Sequence, residues 1–127
     1  MAQIICGVDV SSETLDARVG IDGPHERFAN TPEGIEALAA FCTKHGVELA
    51  VMEATGGYEK QPFALLWARG IPAAIVNALS VRRFAEGVGI LEKTDKIDTG
   101  VIAWFAQVKR IVPHEPASDA QQRLAAL

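Results

Sequence analysis

The stretch QIICGVDVSSETLDARVGIDGPHERFA, residues 3–29, decides the fold. Gln3 to Val10 is rich in β-formers and mostly apolar, the pattern of a buried strand. Ser11-Ser12-Glu13 is a turn. From Thr14 to Gly20 the chain alternates, with Leu15, Ala17 and Val19 set against Asp16 and Arg18, as in a half-buried strand. Ile21-Asp22-Gly23-Pro24 is a second turn with an Asp-Gly hairpin signal. His25 to Ala29 then returns as a third strand, so the chain opens as an antiparallel meander.

Outward from the meander, the pattern changes to helices alternating with strands. Thr31-Pro32-Glu33 opens a helix: Thr31 suits the N-cap, Pro32 the first helical position, and Glu33 the positive end of the dipole. Ile35, Leu38, Ala39 and Cys42 form its apolar stripe, and Gly46 ends it. Val47 to Glu53 reads as a buried strand, broken by Thr55-Gly56-Gly57. Tyr58 to Arg69 reads as a helix closed by Gly70, and Ile71 to Asn77 as another strand. Leu79 to Glu86 is a short helix followed by a Gly87-Val88-Gly89 link. A last helix is expected from about Thr94 to Arg110. The order β-β-β-α-β-α-β-α-α implies an α/β fold, a mixed five-stranded sheet flanked by helices, which is the ribonuclease H-like arrangement. Residues 1–112 read as this domain. Residues 113–127 read as a linker, Pro113-His114-Glu115-Pro116, and the start of a helical region capped by Ser118-Asp119. The chain is therefore expected to be the front part of a longer protein.

With 127 residues, 49% apolar and 22% charged, the chain fits one ordered domain rather than a disordered or collagen-like one. A formal charge of −4 speaks against nucleic-acid binding through bulk positive charge. The charge is uneven, however. Residues 1–60 hold four basic and ten acidic residues, whereas 61–127 hold eight and six. Cys6 and Cys42 lie in apolar surroundings without zinc-ligand spacing, which suggests a reduced, cytoplasmic protein. There is no signal-peptide pattern and no apolar run of the roughly 18 residues that a membrane span needs.

Four carboxylates stand where chemistry can use them. Asp9 and Glu53 each end a strand, and Asp95 and Asp98 are three apart at the head of the last helix, on one face. Ligands bind at the carboxyl ends of strands in such sheets. Converging carboxylates repel one another and resist ionisation, which divalent cations relieve. Two Mg²⁺ ions roughly 4 Å apart can clamp a phosphoryl transfer. Each acid also has an ordinary structural use. Asp9 can bond the turn amides of Ser11 and Ser12, Glu53 can pair with a basic residue, and Asp95 and Asp98 can serve as favourable charges in a first turn. Asp16 and the remaining acids read as turn or polar-face residues. His25, His45 and His114 read as surface residues, and Trp67 and Trp104 as core.

Three blocks together resemble one family. They are Gly7-Val8-Asp9-Val10-Ser11, Met52-Glu53-Ala54-Thr55-Gly56-Gly57-Tyr58, and the run from Val76-Asn77 through Val81-Arg82-Arg83-Phe84-Ala85 to Lys93-Thr94-Asp95-Lys96-Ile97-Asp98. They look like the N-terminal domain of the DEDD transposases of the insertion sequence 110 family, which also resemble the Piv/MooV DNA invertases. The resemblance spans roughly residues 3 to 125. It implies a RuvC-like domain whose Asp9, Glu53, Asp95 and Asp98 bind Mg²⁺, with Mn²⁺ as a substitute. Asp9 would bridge the metals, Glu53 and Asp98 would complete the coordination, and Asp95 would be a further ligand through water. It also implies DNA as substrate, a structured guide RNA, a homo-oligomer in the full-length protein, and a second, C-terminal domain carrying a catalytic serine. Lys93, Lys96, Arg82 and Arg83 flank the acids and are candidates for phosphate contacts. Ala78 stands where the family often has Pro, and Thr99 where it commonly has Ala; neither is a proposed ligand.

Two other readings compete. A sugar- or acetate-kinase-type phosphotransferase half-domain also begins with a strand ending in Asp, but usually places Gly soon after it, where this chain has Ser11-Ser12. A non-catalytic module for RNA binding or dimerisation would use the fold without metal.

Overall fold

A computed structural model of the chain describes residues 3–89 and 99–116. Its elements are β1 (Ile5–Val10), β2 (Thr14–Val19), β3 (His25–Ala29), α1 (Pro32–Lys44), β4 (Leu49–Glu53), α2 (Lys60–Ala68), β5 (Ala73–Val76), α3 (Ala78–Gly87) and α4 (Thr99–Val108). The five strands form one sheet in the order β3-β2-β1-β4-β5. The first three pair antiparallel, while β4 and β5 join parallel to β1. This is the mixed sheet expected from the meander and the alternation after it. The part of the expected last helix before Thr99 lies outside the described residues.

β1 is central, and its residues are buried on both faces, which explains its unbroken apolar run. One face of the sheet presents Cys6, Val8, Val10, Leu15, Ala17, Ala50 and Met52 to Ile35, Leu38 and Cys42 of α1 and to Phe63 and Leu66 of α2. The opposite face presents Ile5, Leu49, Val51, Ala74 and Val76 to Val81 of α3 and to Ile102, Ala103, Phe105 and Ala106 of α4.

The helix ends follow local chemistry. Thr31 caps α1, its hydroxyl accepting from the Gly34 amide at 3.1 Å, with Pro32 in the first turn. Asn77, expected as the end of a strand, caps α3 instead, accepting from the Leu79 and Ser80 amides at 2.8 and 3.2 Å. Beyond α4, His114 lies along β5: its amide donates to the Ala73 carbonyl at 3.1 Å, and its Nε2 accepts from the Ile75 amide at 3.0 Å.

α4 rests directly on the sheet. A Cβ on Gly7 would overlap the Thr99 carbonyl oxygen and stand 2.9 Å from the Ala103 nitrogen. One on Gly100 would likewise overlap the Ile21 carbonyl. Two glycines thus permit a backbone-to-backbone approach that no side chain allows. Ala106 and Gln107 line the same hollow as Gln3 and Ile5, so α4 runs antiparallel to β1 and starts toward the Asp9 end. Among the described residues, no helix is long and apolar enough to cross a membrane.

Candidate active site

The parallel ladder of β1 and β4 ends on the pair Val8–Met52. The next residue on each strand is an acid, Asp9 on β1 and Glu53 on β4. Neighbours in a parallel ladder point to the same side. Here that is the α4 face, since Ile5, Gly7, Val51 and Leu49 share their parity. Two carboxylates therefore sit side by side at the carboxyl ends of two central strands, as the strand-end reading expected. Their proximity has an electrostatic consequence. Burial, and then the negative charge of Asp9, push the Glu53 carboxyl up to about 7 from 4.5.

A third acid joins the row. Asp16 on β2 lies opposite Asp9 in the antiparallel ladder, and Arg27 on β3 lies opposite Asp16. Arg27 grips Asp16 with two hydrogen bonds, Nε to Oδ1 at 2.8 Å and Nη2 to Oδ2 at 3.2 Å, and His25 Nε2 stands 3.6 Å from Oδ1. The hydrogen bonds to Asp16, and then its charge, hold the Arg27 guanidinium above its usual range, with a further contribution from Asp9. The row across four strands thus reads Arg27, Asp16, Asp9, Glu53. From the sequence alone Asp16 reads as an ordinary polar-face residue. The clue was the Ser11–Glu13 turn, which fixes the register that puts Asp16 against Asp9.

The loop after β4 is built around a buried carboxylate that the sequence reading did not single out. Glu59 is 7% exposed. Its Oε1 accepts from the Thr55 amide at 2.8 Å, the Thr55 hydroxyl at 3.0 Å and the Gly57 amide at 3.0 Å. Burial by itself raises this carboxyl's pKa, but the hydrogen bonds from Thr55 and Gly57 outweigh it and hold the group below its usual value. Gly56 and Gly57 take φ values of +81° and +123°, which is why the chain breaks with two glycines here. Only the glycine pair was visible in the sequence. The acceptor that organises it is four residues from Thr55 and contacts mainly backbone.

The other expected site residues divide. Asp95, Asp98, Lys93 and Lys96 lie outside the described residues. Arg82 and Arg83 are on α3. Arg82 stands 3.7 Å from Glu86 one turn on. Arg83 opens on a hollow of about 500 Å³ that it shares with Ser80, Phe84, Phe105, Lys109 and Ile111. That hollow is at the C-terminal end of α4, roughly 15 Å along the helix from Thr99. Arg83 therefore stands with Lys109 rather than with the acid pair. Among the described residues, no three His, Cys, Asp or Glu side chains form a set that would hold a metal ion. The described part offers two neighbouring carboxylates, an oxygen-only donor set of the kind that hard divalent cations take.

Comparison with known proteins bears on the family and the fold. The family model DEDD_Tnp_IS110, described as Transposase, matches residues 6–127. The pilin gene-inverting proteins of Moraxella lacunata and Moraxella bovis are each 26% identical over 133 residues, covering 100% of this chain and 41% of theirs. The chain therefore spans less than half the length of these relatives. Among solved structures, Thermus thermophilus RuvC in complex with a Holliday junction superposes with a TM-score of 0.58 at 10% identity, covering 87% of this chain and 99% of that one. A second Thermus thermophilus RuvC structure gives 0.55 at 12% identity, with the same coverage. At these identities the likeness concerns the fold, which is RuvC-like, as the element order implied.

Proposed function

The chain belongs to the DEDD transposase family of the insertion sequence 110 type, and from that premise we propose that it is the metal-binding catalytic domain of a transposase or recombinase acting on DNA. One observation carries the reading: Asp9 and Glu53 are held side by side at the ends of β1 and β4, with Glu53 raised to about 7. Two half-buried carboxylates side by side repel each other, and a divalent cation bound between them would relieve that repulsion.

Asp95 and Asp98 are the proposed remaining ligands. In the chain they precede Thr99, where α4 begins over Gly7 at the Asp9 end of the sheet. The donor chemistry fits Mg²⁺, with Mn²⁺ as a substitute. When bound, such ions polarise a scissile phosphate and stabilise the charge that develops on it. Asp9 and Glu53 orient that centre from rigid strands. Arg27 neutralises Asp16, so that the third carboxylate of the row does not add a full charge to the site. DNA as substrate, a structured guide RNA, a serine-bearing second domain and assembly into a homo-oligomer belong to the same proposal. So do phosphate contacts from Lys93, Lys96, Arg82 and Arg83, and a cytoplasmic setting, which suits two buried free cysteines.

The test is recombination by the transposase that carries this domain. Asp9→Asn and Glu53→Gln keep size and polarity but remove charge. Each is expected to lower recombination by at least roughly a hundredfold, with an unchanged circular-dichroism spectrum. Recombination at the unaltered level in either variant contradicts the reading.

A further inference from the structure

We propose that Glu59 and Asn30 are positioning residues of the catalytic centre: together they lock the two loops that leave the acid-bearing strands. The inference rests on the metal-centre reading above and adds to it two side chains that are not ligands.

Asp9 is followed two residues later by Ser11, and Glu53 by Thr55. The loops beginning there carry each strand end into the turn that follows, so a loop locked by hydrogen bonds adds to the hold of the ladder on the strand end that bears each carboxylate. The Ser11 turn is tight: its hydroxyl accepts from the Thr14 amide at 2.9 Å, and its amide donates to the Thr14 carbonyl at 2.9 Å. The loop after Glu53 holds two adjacent glycines and would be pliant by itself. Glu59 removes that freedom by taking three donors from Thr55 and Gly57 on a single buried oxygen. Although Glu59 stands at the N-cap position of α2, its side chain makes no cap bond to the helix and turns back to the loop.

Asn30 then ties the two loops together. Its Nδ2 donates to the Ser11 carbonyl at 2.9 Å and to the Tyr58 carbonyl at 3.2 Å. Tyr58 has an acceptor to spare for a reason visible in the sequence. The residue four positions on is Pro62, which has no N–H to return a helical hydrogen bond. Asn30 is itself anchored, its amide donating to the Glu13 carbonyl at 2.9 Å. One continuous hydrogen-bonded path therefore runs from the turn after Asp9, through Asn30 and Tyr58, to the Glu59 loop after Glu53. Groups hydrogen-bonded to a metal ligand typically change metal affinity by about 10–100-fold when removed; Glu59 and Asn30 act through the backbone beyond the ligands, so effects at or below the lower end of that range are expected.

The experiment is Mn²⁺ binding by this chain at fixed temperature, read from the electron paramagnetic resonance signal of free Mn²⁺, with circular dichroism confirming that each variant is folded. Glu59→Ala is expected to raise the half-saturating Mn²⁺ concentration by roughly tenfold. Glu59→Gln, which keeps an acceptor oxygen, is expected to stay within about threefold of the unaltered chain. Asn30→Ala removes two surface hydrogen bonds without opening the core, so it reports even if Glu59→Ala fails to fold. It is expected to weaken binding by about threefold or more. Wild-type half-saturation in folded Glu59→Ala or in Asn30→Ala overturns the proposal and makes these residues merely structural. Loss of Mn²⁺ binding in Asp9→Asn, alongside such a result, would leave the metal centre standing. Absence of Mn²⁺ binding in the unaltered chain overturns both.

Discussion

The two faces of the sheet bury their helices by different means. Under α1 and α2 the contact is made by large apolar side chains, with Leu38, Leu66 and Met52 fully enclosed. Under α4 the backbones come closest: Gly7 and Gly100 leave no room for a Cβ, and Ala74, Ala103 and Ala106 share the contact with Ile5, Leu49, Val51, Ile102 and Phe105. The first, more closed face stays apolar to the ends of β1 and β4, with Val10 and Met52 buried. The second gives way at the strand ends to Asp9, Glu53 and Asp16. The difference separates two tasks: one side packs the larger cluster of buried apolar residues, and the other brings a helix start close to a row of charges that costs stability.

A large effect on stability is expected from the closed face. Leu66→Ala should destabilise the chain by ~2–5 kcal/mol, measured by urea unfolding, because a fully enclosed side chain leaves a cavity. It should leave Mn²⁺ binding unchanged, provided the chain is folded. On the open face stability and binding fall together. Gly7→Ala should cost a similar amount, ~3 kcal/mol or more, and also weaken Mn²⁺ binding, since the added methyl meets the Thr99 and Ala103 backbone and pushes α4 away from the sheet. If Gly7→Ala left metal binding intact, the close approach of α4 would be packing alone.

Smaller again is a pH effect confined to the open face. Glu53 titrates at about 7 in the folded chain against 4.5 as its ordinary value. A carboxyl with a raised folded pKa binds its proton more tightly when native. Its contribution is therefore most favourable below about 4.5, declines as pH rises, and is fully lost above about 7. In a chelator, the unaltered chain should lose on the order of 1–2 kcal/mol relative to Glu53→Gln between pH 5 and 8. Parallel pH profiles for the two would show that Glu53 does not carry this strain. The smallest effect should come from the edge of the closed face. Thr31→Ala removes the N-cap bond to Gly34 and should cost about 1 kcal/mol in urea unfolding, with no change in metal binding.

The same contrast explains what the sequence revealed. Patterns that depend on neighbours along the chain were legible: the apolar run ending at Asp9, the run ending at Glu53, and Thr31-Pro32 before an apolar stripe all lie where expected. Properties that depend on register or on backbone partners were not. Asp16 faces Asp9 only because a tight turn sets the ladder, and Glu59 acts on amides that leave no mark in the sequence. Helix α2 is expected from Tyr58 but begins at Lys60, because Pro62, four residues after Tyr58, has no N–H to bond the Tyr58 carbonyl and extend the helix upstream.

The central claim is that the acids at the ends of β1 and β4 share a divalent cation. Anomalous diffraction at the manganese edge, from crystals of the chain grown with Mn²⁺, tests it most directly. The account predicts a peak in contact with both Asp9 and Glu53 that disappears in Asp9→Asn crystals. Occupied manganese sites elsewhere on the chain, with no peak between those two carboxylates, would contradict it.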